Sequence, residues 1–246
     1  MSMDTLKKPK FGLTNNQLKI IAMVSMMLDH IGLLFFPGVV LFRALGRIAF
    51  PVFAYMIGEG CRYTKNRAKY LGMIAGMGVV FQLVYLVAMQ SLYQGILITF
   101  SLAIIVIFAI DGIRKSKKMW IKLAAVGTLL FVAAFVFVLP ALLTGTDFEI
   151  DYGIWGILIP VLVYFMPNQK WRTGSVSGLL LIRAIYYTVI PSPLGLVQWF
   201  SLLTIPLFFL YNGERGRAKM KYVFYIFYPA HLVILYGIAI LIMMLK

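Results

Sequence analysis

Charge is scarce in this sequence: 13% of its 246 residues are Asp, Glu, Lys or Arg, and eight of them are acidic. A soluble domain carries about 25% charged and about 45–50% apolar residues. Here 62% are hydrophobic and the mean hydropathy is +0.91, which excludes a soluble globular domain. Low-complexity tracts are absent too, which excludes a disordered or collagen-like chain and a nucleic-acid-binding tail. A single cysteine, Cys61, leaves no internal disulfide to form. No Cys/His cluster has zinc spacing, and neither a P-loop nor a Gly-rich dinucleotide fingerprint occurs, so no metal and no nucleic acid are expected. The first apolar stretch is long, contains Asp29 and His30 and lacks a small-x-small site, so it does not read as a cleavable signal.

What is present is a series of nine apolar segments, roughly 18–36, 44–60, 71–90, 93–110, 123–143, 153–167, 174–190, 195–211 and 222–243. Turn and breaker residues separate them, as at Pro37-Gly38, Asp111-Gly112, Thr144-Gly145-Thr146, Pro167-Asn168, Pro191-Ser192-Pro193 and Asn212-Gly213. Continuous apolar runs favour helices over the alternating strands of a barrel. One helical crossing takes about 20 residues. The expectation is an all-α integral membrane protein: one transmembrane domain over 1–246, a bundle of about nine helices, with ten as the alternative. The segments 44–60 and 153–167 are short enough for one to be tilted or half-inserted.

The basic residues set an orientation. With the N-terminus in the cytoplasm, 19 of 23 Lys and Arg fall on alternate loops, among them Lys7, Lys8, Lys10, Arg62, Arg67, Arg114, Lys115, Lys117, Arg172, Arg217, Lys219 and Lys221. The opposite side holds Asp147, Glu149 and Asp151 and short neutral turns. This is the excess of Lys and Arg expected of cytoplasmic loops. It predicts a multi-pass membrane protein with its N-terminus inside and its C-terminus outside.

Arg43, Arg47 and Arg183 lie in or near spans, as do Asp29, His30, Glu59 and His231. A charge at the bilayer centre costs about 2.5–3.5 kcal/mol on insertion scales, so each needs the bundle interior and a partner. At about 1.5 Å per residue, His30 sits about 18 Å beyond Leu18 and His231 about 14 Å beyond Tyr222. Arg43 and Arg47 share one helical face. The reading is that Asp29, His30, Arg47, Arg183 and His231 converge on a buried polar site, with Glu59 and Arg62 at its cytoplasmic mouth. The plainer readings stand beside it: an Asp29–Arg47 structural ion pair, interhelical hydrogen bonds for the histidines, and aromatic stacking for Arg183.

A neutral imidazole can take a proton from a hydroxyl or amine as it attacks an acyl carbonyl. A carboxylate can orient the ring, a guanidinium can stabilise the developing oxyanion, and a buried site shields a thioester from water. A donor such as acetyl-CoA carries phosphates that positive loops attract. Lys19 and His30 are eleven positions apart, so they share a helix face about 16 Å long.

The string Lys19-Ile-Ile-Ala-Met-Val-Ser-Met-Met-Leu-Asp29-His30-Ile-Gly32 resembles the opening of the TraX family of membrane proteins. So do Arg43-Ala-Leu-Gly46-Arg47-Ile-Ala-Phe50-Pro51-Val-Phe53, Asp151-Tyr-Gly153-Ile-Trp-Gly156, Tyr211-Asn-Gly213-Glu-Arg215-Gly216 and Tyr228-Pro229-Ala-His231. The family is named for a conjugation-plasmid protein that N-acetylates pilin, and it is distantly similar to the acyltransferase-three membrane enzymes. The resemblance implies an acetyltransferase with acetyl-CoA as co-substrate and an envelope glycan, lipid or peptide as acceptor. His30 becomes the base, with Asp29 as its orienter or as an ion partner of Arg47. The resemblance also makes Lys19 a donor contact; the other roles come from the residues' own placement, with Arg43, Arg47 and Arg183 read as electrostatic supports, Arg62 as a donor contact, and His231, Glu59 and Tyr228 as supporting or acceptor-side groups. The competing functions are a proton-coupled transporter and a non-catalytic assembly factor for surface structures.

Overall fold

The computed structural model describes residues 11–190, 195–216 and 220–245, leaving aside the side chains of Ala88, Lys221, Tyr222 and Tyr225. The orientation signals Lys7, Lys8, Lys10, Arg217 and Lys219, and the Pro191-Ser192-Pro193 turn, lie outside the described residues. In chain order the helices are α1 (Asn15–Phe35), α2 (Val40–Gly46), α3 (Ala49–Tyr63), α4 (Arg67–Met89), α5 (Ile96–Lys115), α6 (Met119–Ala133), α7 (Leu139–Leu142), α8 (Gly153–Phe165), α9 (Gln169–Val189), α10 (Thr204–Leu210) and α11 (Lys221–Met244). A π-turn, Ala134–Val138, joins α6 to α7 immediately before Pro140, whose missing N–H and bulky ring interrupt a regular α-helix. A 3₁₀ stretch, Leu196–Leu203, leads into α10.

All nine apolar segments contain helix. Six helical stretches among the described residues are long and apolar enough to cross a membrane: Asn15–Phe35, Val40–Tyr63, Arg67–Val87, Ile96–Lys115, Met119–Leu142 and Ile226–Met244. The others fall short for separate reasons. Helix α8 has 13 residues, about 20 Å of rise. The apolar stretch Leu196–Leu210 is also short, although its 3₁₀ half rises about 2 Å per residue and lengthens it. Helix α9 is long but carries Lys170, Arg172 and Arg183. Side chains such as Val79, Val80, Leu83 and Val87 on α4 and Val233, Ile234 and Leu241 on α11 are exposed. Apolar surface on this scale fits lipid, not water. The chain is an all-helical membrane protein.

The chain divides into two compact units. The second comprises Phe53–Val189, and the first takes the described residues before and after it. In the first unit α1 packs against α2 and α11, and α2 packs against the 3₁₀ stretch. Thr14 caps α1 in a reciprocal box with Gln17, which starts the helix three residues before the apolar run begins. Leu13 pairs with Tyr211, and the Asn15 amide donates to the Glu214 carbonyl.

In the second unit α5 packs against α4, α6 and α8, and α8 packs against α9. Leu102, Ala103, Val132, Val136, Ile150 and Ile157 form a buried core. Gly58 of α3 lies against the Pro160 carbonyl and the Val163 side chain, leaving no room for a Cβ. The loop before α5 is clasped to the loop before α8. Ser91 Oγ and the Leu92 amide both donate to Asp147, and the Gln94 amide donates to the Glu149 carbonyl. Those two donors hold the Asp147 carboxyl below the usual carboxylate range.

Candidate functional site

The charged centre of the first unit is built on a helix break. Helix α2 ends at Gly46 and α3 begins at Ala49, leaving carbonyls without i+4 partners. Ser25 of α1 donates to two of them, the Leu45 carbonyl at 2.6 Å and the Gly46 carbonyl at 3.2 Å. The break brings Arg43 and Arg47 onto Asp29. Arg47 Nη2 lies 2.8 Å from Asp29 Oδ1 and 3.0 Å from Oδ2, while Arg43 Nη1 lies 3.1 Å from Oδ2. A Cβ at Gly46 would overlap the Asp29 side chain, so the absent side chain permits the approach. Two guanidiniums face one carboxylate, so these three groups carry a net positive charge.

His30, on the residue after Asp29, does not use that carboxylate as its anchor. Its Nδ1 lies 2.9 Å from the Met26 carbonyl on its own helix. His231 repeats the arrangement on α11, with Nδ1 2.9 Å from the Phe227 carbonyl. A carbonyl only accepts, so in the neutral ring Nδ1 carries the proton and Nε2 holds the lone pair. The rings meet edge to face, with centroids 5.0 Å apart. His231 is 1% exposed and its Nε2 has no hydrogen-bond partner among the described residues. Phe227 stacks flat on the His231 ring and Tyr228 meets it edge-on. His30 is only partly buried. Farther down the α1–α11 seam, Lys19 Nζ lies 5.0 Å from the centre of the Phe224 ring. Lys19 to His30 and Phe224 to His231 advance in the same sense, so α1 and α11 run parallel.

The remaining residues singled out in the sequence belong to the second unit, and each has partners there. Glu59, 1% exposed, is paired with Arg172 of α9 at 2.5 Å. That Arg is buried too, although its sequence position reads only as an orientation signal. Arg62 Nη1 donates to the carbonyls of Tyr164 and Met166 at 2.8 and 3.0 Å, satisfying the end of α8. Arg183 is stacked between Tyr152 and Tyr187, at 5.2 and 5.1 Å from the ring centres. Tyr152 caps α8 in the left-handed region, at φ 58°, which is uncommon for a bulky residue.

Sequence reasoning missed a further network around Asp111, read there as part of a turn. Asp111 Oδ2 accepts from Arg67, Lys115 and the Tyr164 hydroxyl, at 2.6, 2.7 and 2.6 Å. The available signal was Asp111 and Lys115 at i,i+4 spacing on one helix. Among the described residues, no group of three or more His, Cys, Asp or Glu side chains is arranged to hold a metal ion.

Comparison with known proteins matches residues 14–239 to the TraX protein family. The chain belongs to the TraX family. The match covers every site residue named above, from Lys19 to His231. A relative from Dichelobacter nodosus, the probable fimbrial assembly protein FimC of serogroup H1, is 28% identical over 89% of this chain and 93% of its own length. The TraX protein of Escherichia coli is 28% identical over 89% of this chain and 84% of its own. No solved structure matches the chain. TraX membership thus rests on nearly the whole length, and two family relatives span it almost end to end.

Proposed function

We propose that this TraX-family protein is a membrane-embedded acetyltransferase that moves an acetyl group from acetyl-CoA to a hydroxyl or amine of an envelope glycan, lipid or peptide. The observation that carries this reading is the imidazole pair, each ring held by its Nδ1 proton so that Nε2 is the basic atom. His30 Nε2 takes the proton of the acceptor as its oxygen or nitrogen bonds to the thioester carbonyl carbon. The positive charge of Arg43 and Arg47 favours the oxyanion that forms. The C–S bond then breaks, and the imidazolium returns the proton to the leaving thiolate. The products are CoA thiol and acetylated acceptor. His231 supports the His30 ring from α11, and Tyr228 and Phe227 hold His231 in place. Lys19, at the basic end of the same seam, is a donor contact.

The parallel run of α1 and α11 supports an odd number of crossings from α1 through α11, because two parallel spans require one. Nine crossings with the N-terminus in the cytoplasm of a bacterial plasma membrane fit both that parity and the distribution of Lys and Arg. The test is transfer of labelled acetyl from acetyl-CoA by the purified protein, with envelope fractions as acceptor. Transfer lost in a folded His30→Ala variant supports the reading; transfer unchanged in that variant overturns it. A second reading, a non-catalytic assembly factor, is favoured by the Dichelobacter relative, a probable fimbrial assembly protein. It predicts that assembly of surface structures survives His30→Ala and that no acetyl is moved.

A further inference from the structure

At the end of the second unit where α3, α5 and α8 finish, a cleft of about 480 Å³ is lined by Arg62, Asp111, Arg114, Lys115, Tyr164 and Phe165. Arg67 adjoins it through Asp111. Four cations therefore surround one carboxylate. Asp111 engages Arg67 and Lys115, and Arg62 gives Nη1 to two backbone carbonyls. Arg114 has no carboxylate partner among the described residues; its guanidinium lies 5.3 Å from the centre of the Phe165 ring. A guanidinium laid on an aromatic face keeps its N–H edge pointing outward and ordered. An orientation signal needs only positive charge. It does not need an Arg stacked on an aromatic ring or a tyrosine hydroxyl ordered on the same carboxylate, both lining one open depression.

We propose that this cleft is a phosphate-binding site that takes a phosphate ester or diphosphate group between Arg114, Arg62 and Lys115. Arg114 supplies the forked N–H contact, Arg62 and Lys115 add charge, and Asp111 keeps Arg67 and Lys115 from collapsing into the cleft. The chemistry suits either the diphosphate of a soluble nucleotide-type ligand or the head group of an anionic phospholipid. The site uses no residue of the imidazole pair; Arg62, expected from the sequence as a donor contact, is the one residue it shares with the acetyl-transfer reading.

The experiment has two arms. The full-length protein in phosphatidylcholine nanodiscs is titrated with ADP, and nanodiscs containing phosphatidylglycerol are assayed for retained lipid by native mass spectrometry. ADP binding identifies the soluble source and phosphatidylglycerol retention the lipid one. In either arm, Arg114→Gln is expected to weaken binding about tenfold or more, as for the loss of one charge-assisted hydrogen bond. Lys117→Gln, an exposed cation outside the cleft, should leave it unchanged. Arg62→Gln should weaken binding as well. Because that change also uncaps α8, the exposed Arg114 is the deciding variant. The site is overturned if neither probe binds, or if binding is the same in folded Arg114→Gln as in Lys117→Gln. His30→Ala should retain full binding, so loss of acetyl transfer and loss of this site are separable.

Discussion

Two charge centres in this chain, one fully buried and one partly so, use the same residue types to different ends. In the second unit Glu59 and Arg172 match one to one, both nearly inaccessible. In the first, Asp29 faces two guanidiniums, and the Nε2 lone pairs of the neighbouring imidazoles meet no hydrogen-bond donor among the described residues. A balanced, sealed pair has nothing left to offer a ligand; breaking it leaves one charge stranded. An unbalanced centre beside an unfilled base is suited to meet charge that appears during a reaction. Burial alone therefore does not mark a functional site in a membrane protein. The balance of charges and the unfilled hydrogen-bonding capacity do.

That contrast can be broken experimentally. His30→Ala should lower acetyl transfer by about 10²–10⁴-fold, the usual contribution of a general base, with little change in thermal stability of the purified protein. Glu59→Gln should do the reverse. Removing one partner of a buried pair costs about 3–5 kcal/mol, read as a lower unfolding midpoint or a loss of folded yield. Next, Gly46→Ala should cost about 1–3 kcal/mol from overpacking and lower acetyl transfer as well, because the new methyl displaces Asp29 from Arg43 and Arg47. A loss of stability with transfer intact would separate the ion cluster from the chemistry.

The smallest effect should come from Asp147, which touches neither centre. Its carboxyl is held down mainly by the Ser91 hydroxyl and then by the Leu92 amide. A lowered folded value means its contribution is present above the unfolded carboxylate pKa of about 3.9 and disappears as pH falls through the folded value. Thermal melts of the parent and Asp147→Asn should differ at neutral pH and converge on acidification below about pH 4.

Helix existence was legible because apolar runs bounded by breakers are local patterns. The i,i+4 spacing of Arg43 and Arg47 placed both on the face that reaches Asp29. Helix α1 begins three residues before the apolar run, because the Thr14–Gln17 cap is polar and precedes it. Among the local signals, the carboxylate beside His30 suggested an orienter, whereas the ring is held by a backbone carbonyl that no side-chain pattern reveals. The Glu59–Arg172 pair joins two helices, so no periodicity announces it, and in the Asp111 network the i,i+4 spacing announces Lys115 alone, since Arg67 and Tyr164 come from other helices. Arg172 and Lys115 looked like ordinary orientation charges. Crossing number was hardest to judge, because α9 is long but polar and the stretch Leu196–Leu210 gains length from 3₁₀ geometry.

The two imidazoles come from α1 and α11, with 200 residues of chain between His30 and His231. Asp29, Arg43 and Arg47 can find one another as soon as the first hairpin of helices enters the bilayer. The ring pair forms only when the final helix has docked, after everything between has been threaded. A nascent or truncated chain would then carry the ion cluster without its facing imidazole. Competence of this centre would arrive last, as a property of the finished molecule.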